Sequence, residues 1–477
     1  MTEPITTLPQ LVQSAADRFG AAEAVVDGEL RVSFTELAER VRRAAGAFAS
    51  AGIGKGDRVA IWAPNSAEWI IAAFGALTAG GVLVPVNTRF RAAEAADIIH
   101  RSGAKMVLVQ QGFLGVEHTA PEGVPVVDLK SDFLSGGAPF ACEVDGTDIA
   151  DIVYTSGTTG KPKGVMMNHL QTLRMYSEWC DLADLRQGDR YLIVNPFFHT
   201  FGYKAGVVAA LIRGATILPV AVFDVDRVLD LVQRERVTML PGPPTLLSSL
   251  LSAAGAYDLS SLRATVTGAA DIPVELIRRV STELPFQSIM TGYGLTEAGT
   301  ATASRPGDTF KQIATTVGTP CAGIELRIAD DGEVLVRGYS VMQGYLDDPV
   351  ATAEAVDADG WLHTGDLGEL DPGGRLRIIG RKKDMFIVGG FNAYPAEIEG
   401  VLLQHPAVAQ AAVIGVADER LGQVGAAFVV ARSAVTEAEL IEWAQAHMAG
   451  YKVPRSVRFM DELPLNATGK VQKDRLR

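Results

Sequence analysis

The stretch Tyr154-Thr155-Ser156-Gly157-Thr158-Thr159-Gly160-Lys161-Pro162-Lys163-Gly164 constrains this chain more than any other. It follows Ile152-Val153-Tyr154, which reads as the end of a buried strand, and it is crowded with glycine, hydroxyl and lysine side chains. Glycines let backbone N–H groups approach phosphate oxygens, hydroxyls add donors, and the lysines bring charge. The loop therefore reads as a polyphosphate cradle. It is not a Walker A loop, because Pro162 follows Gly160-Lys161 where a Ser or Thr would have to bind magnesium.

The rest of the composition fits a large folded chain. A length of 477 residues suggests roughly two to four domains or lobes of about 150 residues each. Hydrophobic residues make up 48% and charged residues 21%, which supplies a large core and excludes a disordered chain. The net charge of -13 argues against a nucleic-acid binder, whose domain would be basic. Cys142, Cys180 and Cys321 are far apart, which predicts a reducing, cytoplasmic setting without disulfides or a zinc site. The first twenty residues contain Glu3 and Asp17 and lack the apolar core of a signal peptide. The uncharged run Trp69 to Asn87 is interrupted by Gly75, Gly80, Gly81 and Pro85, so it reads as a buried helix, a Gly turn and a buried strand, and no integral membrane segment is expected.

Strands and helices alternate along the first half. Ser33-Phe34-Thr35-Glu36 is a capping box, with Leu37, Val41, Ala44, Ala45 and Phe48 following at helical spacing up to Gly52. Strands are predicted at 58–62, 82–86 and 105–109, with helices from Ala67 and over 92–102 between them. Such alternation implies a parallel sheet with helices on both faces. Beyond the phosphate loop, strands at 189–194, 215–220, 238–240 and 263–267 alternate with helices at 207–213, 225–235, 245–253 and 274–284. From Ala322 short strands and turns such as Asp371-Pro372-Gly373-Gly374 predict a small antiparallel sub-structure. A compact α+β unit begins near Lys383, with Pro395 opening a helix. Its connection, Gly380-Arg381-Lys382-Lys383-Asp384, is tight and charged, suited to a hinge.

Four further motifs follow in order: Gly292-Tyr293-Gly294-Leu295-Thr296-Glu297, Trp361-Leu362-His363-Thr364-Gly365-Asp366, Val388-Gly389-Gly390-Phe391-Asn392 and Leu465-Asn466-Ala467-Thr468-Gly469-Lys470. Together with the phosphate loop they resemble the adenylate-forming enzymes: acyl-CoA synthetases, luciferases and nonribosomal-peptide adenylation domains. The resemblance spans essentially the whole chain. It implies an α/β fold with a large N-terminal domain (1–382) of stacked parallel sheets, helices and the small antiparallel sub-structure, and a small mobile α+β C-terminal domain (383–477) carrying a catalytic lysine.

The resemblance also assigns residues. Thr155, Ser156, Gly157, Thr158, Thr159, Gly160 and Lys161 would hold ATP phosphates. Gly268, Ala269, Gly292, Tyr293 and Gly294 would flank the adenine, with Ile378 beside the nucleotide. Thr296 would meet a phosphate and Glu297 would hold Mg2+, which is content with one carboxylate plus phosphate oxygens and water. Asp366 would accept from both ribose hydroxyls, with Arg381 nearby. Lys383 falls on the hinge, where many relatives have Asp and some have Lys, and the position need only absorb a backbone rotation. Gly389, Gly390 and Phe391 would border the path of coenzyme A, and Lys470 would serve adenylation. Seven basic residues against three acidic ones from Tyr451 onward would draw in ATP and coenzyme A.

The implied reaction is an AMP-forming acyl-CoA synthesis from a small-molecule carboxylic acid, with no nucleic-acid partner and with room for a homodimer. The chain ends soon after Lys470, which favours coenzyme A over a fused carrier domain. Asn195-Pro196-Phe197-Phe198-His199-Thr200-Phe201-Gly202-Tyr203-Lys204 and Asp384-Met385-Phe386-Ile387-Val388-Gly389-Gly390-Phe391-Asn392 look like the actinobacterial ligases of sterol-ring catabolism, which activate a bicyclic indanedione propanoate. His199, Phe201, Gly202, Tyr203 and Lys204 are then the expected acyl-pocket residues, with Tyr203 and Lys204 meeting ring carbonyls, or Lys204 pointing to solvent or to coenzyme A phosphates. A medium- or long-chain fatty acid, or loading of a separate carrier protein, stays open as the alternative.

Overall fold

A computed structural model describes residues 4–115, 118, 121–155, 161–253, 255–268, 274–466 and 470–476. Its largest sheet has seven strands, in the spatial order Gly344–Tyr345, Lys163–Asn168, Ile149–Thr155, Val82–Pro85, Arg58–Trp62, Met106–Val109 and Val126–Asp128. From Ile149–Thr155 to Val126–Asp128 the neighbours are parallel, as strand–helix alternation requires. The other edge is antiparallel: Ile149–Thr155 and Lys163–Asn168 are the two arms of a hairpin around the phosphate loop.

A second sheet runs Leu30–Ser33, Glu23–Asp27, Thr216–Pro219, Arg190–Ile193. Single parallel bridges through Met239 continue it to Ala264–Thr267, Ser288–Leu295, Gly299–Ala303 and Thr319–Pro320. The strand expected at 238–240 is thus reduced to Met239. Helices Leu8–Phe19, Phe34–Ser50 and Ala67–Thr78 pack on one another against these sheets. Trp69, Ile70, Phe74 and Leu77 are completely buried, the last three each worth roughly 1.5–3 kcal/mol relative to exposure. Gly75 does not break this helix. It lies inside it, where a Cβ would come 2.6 Å from the Ala44 Cβ, so its role is the close crossing of two helices. The break is the Gly80-Gly81 turn. Among the described residues no helix is long and apolar enough to cross a membrane.

The antiparallel sub-structure is Ile324–Ile328, Glu333–Gly338, Leu362–Leu370 and Leu376–Arg381, in that order. A smaller C-terminal domain follows. Its sheet, Phe391–Ala393, Phe386–Val388, Gly422–Ala431 and Val408–Asp418 with Ser456–Phe459 parallel to Gly422–Ala431, is covered by helices Pro395–Leu402 and Glu437–His447. Ile398, Leu402, Val413, Val429 and Leu440 form its own core.

Candidate active site

The hairpin brings Thr155 opposite Lys163, closing the phosphate loop at its base. Ser156, Gly157, Thr158, Thr159 and Gly160 lie outside the described residues, as does Ala269. Arg101 Nη1 donates to Pro162 O at 2.8 Å, Lys161 is exposed, and Lys163 Nζ stands 4.9 Å from the centre of the Tyr345 ring. Glu297 arrives from the turn after Ser288–Leu295. Its Oε1 accepts from the Thr155 hydroxyl at 3.4 Å and from the Tyr345 hydroxyl at 3.1 Å. Among the described residues Oε2 accepts no hydrogen bond, so one hard oxygen faces the base of the loop. No group of three or more His, Cys, Asp or Glu could hold a metal there among the described residues. A carboxylate in this setting suits Mg2+, which would complete its shell with phosphate and water. Thr296, in the same turn, is half-buried.

Asp366, 5% exposed, lies on the strand Leu362–Leu370 opposite Arg381. Its Oδ2 accepts from the Tyr293 hydroxyl at 2.6 Å and its Oδ1 from Arg381 Nε at 2.7 Å. Burial and Asp366 hold the Tyr293 phenol well above its usual range, so it stays a donor. Each carboxylate oxygen keeps a lone pair for a further donor. The hairpin carrying Tyr293 demands its glycines: a Cβ would fall 2.9 Å from Thr302 O at Gly292 and 2.2 Å from Gly299 O at Gly294. Gly268 ends the neighbouring strand and comes close to Gly292 O. Ile378, half-buried on Leu376–Arg381, packs against the main core.

Lys470, near the far end of the chain, comes within electrostatic reach of Asp366 and Arg381. Its backbone closes a tight loop with Asn466: Lys470 N–H donates to Asn466 Oδ1 at 2.9 Å and Asn466 N–H to Lys470 O at 2.8 Å. The protein around its ammonium pushes its pKa down, Arg381 adds to this, and Asp366 opposes it. His199 feels the same lysine: desolvation and then Lys470 bring its imidazole down to about 4. Its Nδ1 accepts from Phe201 N–H at 3.2 Å, so the neutral ring carries its proton on Nε2. Lys470, Asp366, Arg381 and His199 therefore share one electrostatic neighbourhood.

The remaining acyl-side residues divide. Phe201 is half-buried with its ring edge-on to Trp179. Gly202 is required by backbone: a Cβ would lie 2.2 Å from Pro196 O. Phe201–Val208 forms a π-helix, which the helix expected at 207–213 does not foresee. Of the alternatives for Lys204, pointing to solvent is overturned. Tyr203 is fully buried against Trp69 and Phe74. Lys204 is 2% exposed and its Nζ meets Asp151 Oδ1 at 2.8 Å. A cation in an apolar interior needs such a partner, so Lys204 is held by Asp151 and does not reach solvent. Burial pushes the Asp151 carboxyl up and Lys204 opposes it.

On the C-terminal side, Gly389 and Gly390 have φ of +56° and +91° and make the two-residue turn between Phe386–Val388 and Phe391–Ala393. That geometry alone demands glycine. Phe391 is 61% exposed and stacks on Tyr451 at 5.0 Å. Lys383 is exposed in a turn closed by Asp384 N–H and Met385 N–H donating to Arg381 O at 3.0 and 3.1 Å. Tyr345 and Asp151 are absent from the sequence-based reading. Only sheet register brings Tyr345 to Glu297, and the one advance signal for Asp151 was a lysine stranded in an apolar stretch, which has to find a carboxylate.

A family model for AMP-binding enzymes matches residues 12–346, and one for the AMP-binding enzyme C-terminal domain matches residues 397–470. The chain is 47% identical to the 7a-methyl-1,5-dioxo-octahydro-indenyl propanoyl:CoA ligase of Rhodococcus jostii, covering 100% of this chain and 99% of that protein. It is also 47% identical, with the same coverage, to the protein of the same description from Mycobacterium tuberculosis. The solved O-succinylbenzoate coenzyme A synthetase of Bacillus subtilis in complex with AMP has a TM-score of 0.88 at 30% identity, over 98% of both chains.

Proposed function

This chain belongs to the AMP-binding enzymes and is an ATP-dependent acyl-CoA ligase, and we propose that its acid is a bulky cyclic carboxylate of the indanedione propanoate kind. What supports the reading of the site is the ion pair of buried Asp366 with Arg381, with Lys470 and His199 within electrostatic reach of one another and Lys470 within reach of that pair. On this reading the C-terminal lysine acts on both nucleotide-side and acyl-side groups, since its charge is felt by His199 and it feels Asp366 and Arg381.

A carboxylate does not react directly with a thiol, because its oxygen is too poor a leaving group. In the first step a carboxylate oxygen attacks the α-phosphorus of ATP and pyrophosphate leaves. In the second the thiol of coenzyme A attacks the acyl carbonyl and AMP leaves. Such chemistry needs positioning and charge neutralisation more than covalent help. Asp366 holds the ribose hydroxyls, with Tyr293 and Arg381 fixing its two oxygens. Thr155, Thr296 and Lys161 face the phosphates alongside the loop. Mg2+ held at Glu297 supplies charge neutralisation when bound. Lys470 balances charge on the carboxylate and α-phosphate in the first step. His199, uncharged and flanked by Phe201 and Gly202, borders the acyl group. Gly389, Gly390 and Phe391, on the exposed hairpin, serve coenzyme A after the domain boundary at Lys383 has turned. The arrangement with Lys470 beside Asp366 is then the adenylation geometry.

The choice of acid rests on the two relatives at 47% identity, since Lys204 is engaged by Asp151. A panel of the indanedione propanoate, octanoate and palmitate, read by pyrophosphate release, tests it. The expected result is the highest kcat/KM for the bicyclic acid. A preference for palmitate would overturn it.

A further inference from the structure

The turn that presents Asp366 is gripped from both sides. Gly365, directly before it, has φ of +70°, a conformation that other residues resist. Its N–H donates to Glu333 Oε1 at 2.9 Å, and its carbonyl accepts from Lys382 N–H at 2.9 Å. Thr364 Oγ1 donates to Val334 O at 2.7 Å and accepts from Asp366 N–H at 3.1 Å. The two peptide planes that set the direction of Asp366 are therefore fixed by residues 333–334 and 382.

Glu333 does more than accept one hydrogen bond. It is 6% exposed, and its Oε2 meets Lys382 Nζ and His363 Nδ1, each at 3.2 Å. Lys382 Nζ also meets Asp331 at 2.6 Å. Burial would raise the Glu333 carboxyl, yet Gly365 N–H, His363 and Lys382 hold it below its usual range, so it is a charged acceptor. A buried carboxylate is costly unless it is used, and this one ties the Asp366 turn to the residue just before Lys383.

We propose that Glu333 is a positioning residue for nucleotide recognition, fixing the Gly365 peptide and through it the Asp366 carboxylate, and anchoring Lys382 so that movement of the C-terminal domain begins beyond it. The proposal rests on Asp366 being the ribose acceptor. A residue that aims Asp366 governs discrimination between ATP and 2′-deoxy-ATP, whereas mere structural damage lowers the active fraction and leaves that ratio alone.

The test compares kcat/KM for ATP and 2′-deoxy-ATP, by pyrophosphate release with saturating acid, in the full-length wild type, E333A, E333Q, E333D and D366N. In E333A the ratio is expected to fall about tenfold toward unity with a raised KM for ATP, the loss of one hydrogen bond to a charged group. E333Q keeps an acceptor oxygen of the same reach and should restore the ratio. If E333A does not fold, E333D, one methylene too short to reach Gly365 and Lys382 together, is read by the same ratio. A wild-type ratio in E333A or E333D alongside a collapsed ratio in D366N would overturn the role of Glu333. An unchanged ratio in D366N would instead sink the ribose assignment on which it rests.

Discussion

A cation within electrostatic reach of a guanidinium is disfavoured, and Lys470 is in that position, its pKa pushed down by the surrounding protein and then by Arg381. An anionic nucleotide would relieve both cations. Lys470→Ala should therefore slow adenylate formation about a hundred- to a thousandfold, as loss of a preorganised charge does, while supplied acyl-adenylate still reacts with coenzyme A. Equal loss in both half-reactions would remove the assignment. Lys204 carries the opposite expectation. With its partner Asp151 completely buried, Lys204→Met leaves an unpaired carboxylate and should cost about 3–5 kcal/mol of stability in denaturant unfolding. Lys204→Met/Asp151→Leu should recover part of that, and neither variant should shift acyl preference. Half-buried His199 and buried His169 set an acid limit. His199 and His169 titrate near 4 in the folded chain because burial disfavours their charged forms, whereas an unfolded histidine titrates near 6.5. Between these values the unfolded chain binds more protons, so their stability contribution is full above about pH 6.5 and is lost as pH falls toward 4. Thermal unfolding followed from pH 7 to pH 4 should show the midpoint falling, less steeply in His169→Asn.

Elements whose cause is local were legible in the chain. Phe34–Ser50 begins at the capping box that Ser33 and Glu36 announce, and Arg58–Trp62 and Val225–Glu235 have the bounds their patterning predicts. Leu8–Phe19 carries the same signature, Thr7 with Gln10, and went unread although the signal was present. The antiparallel edge beside the phosphate loop was not legible, because Gly344–Tyr345 pairs with Lys163–Asn168 across more than a third of the chain. The π-helix Phe201–Val208 was hidden for a different reason: its extra residue per turn answers to packing around Asn195, Pro196 and Ile193 rather than to periodicity. That element also carries a test. In Gly202→Ala the new methyl would meet the Pro196 and Asn195 carbonyls, so the segment bearing His199 and Phe201 must shift. The expected result is about a ten- to hundredfold loss in kcat/KM for the acid with the KM for ATP little changed. A rise confined to the KM for ATP would separate this element from the acyl group.

At the scale of the whole molecule the two ends of the chain are joined by charge. The smaller domain has its own core and sheet, yet its Lys470 lies within electrostatic reach of Asp366 and Arg381 on the larger one. The same domain exposes Phe391 and the Gly389-Gly390 turn to solvent. On the proposed reading, adenylation by Lys470 and passage of a thiol past Gly389-Gly390 both fall to this one small domain, and alternating between them calls for rotation. The rotation has a defined foot: Lys382 is tied through its backbone to Gly365 and through its side chain to Asp331 and Glu333. Lys383, next to it, is exposed, and among the described residues its N–H makes no hydrogen bond. Lys383→Pro therefore deletes no bond, but it fixes φ near -65° and presses Lys382 toward extended backbone. Adenylation, followed by ATP–pyrophosphate exchange, should stay near wild type. Thioester formation from supplied acyl-adenylate and coenzyme A should fall at least about tenfold, because the second geometry demands the dihedral change that proline forbids. If both half-reactions keep their wild-type rates, the molecule turns elsewhere, and the search for its pivot moves to the next turn, Asp384–Met385.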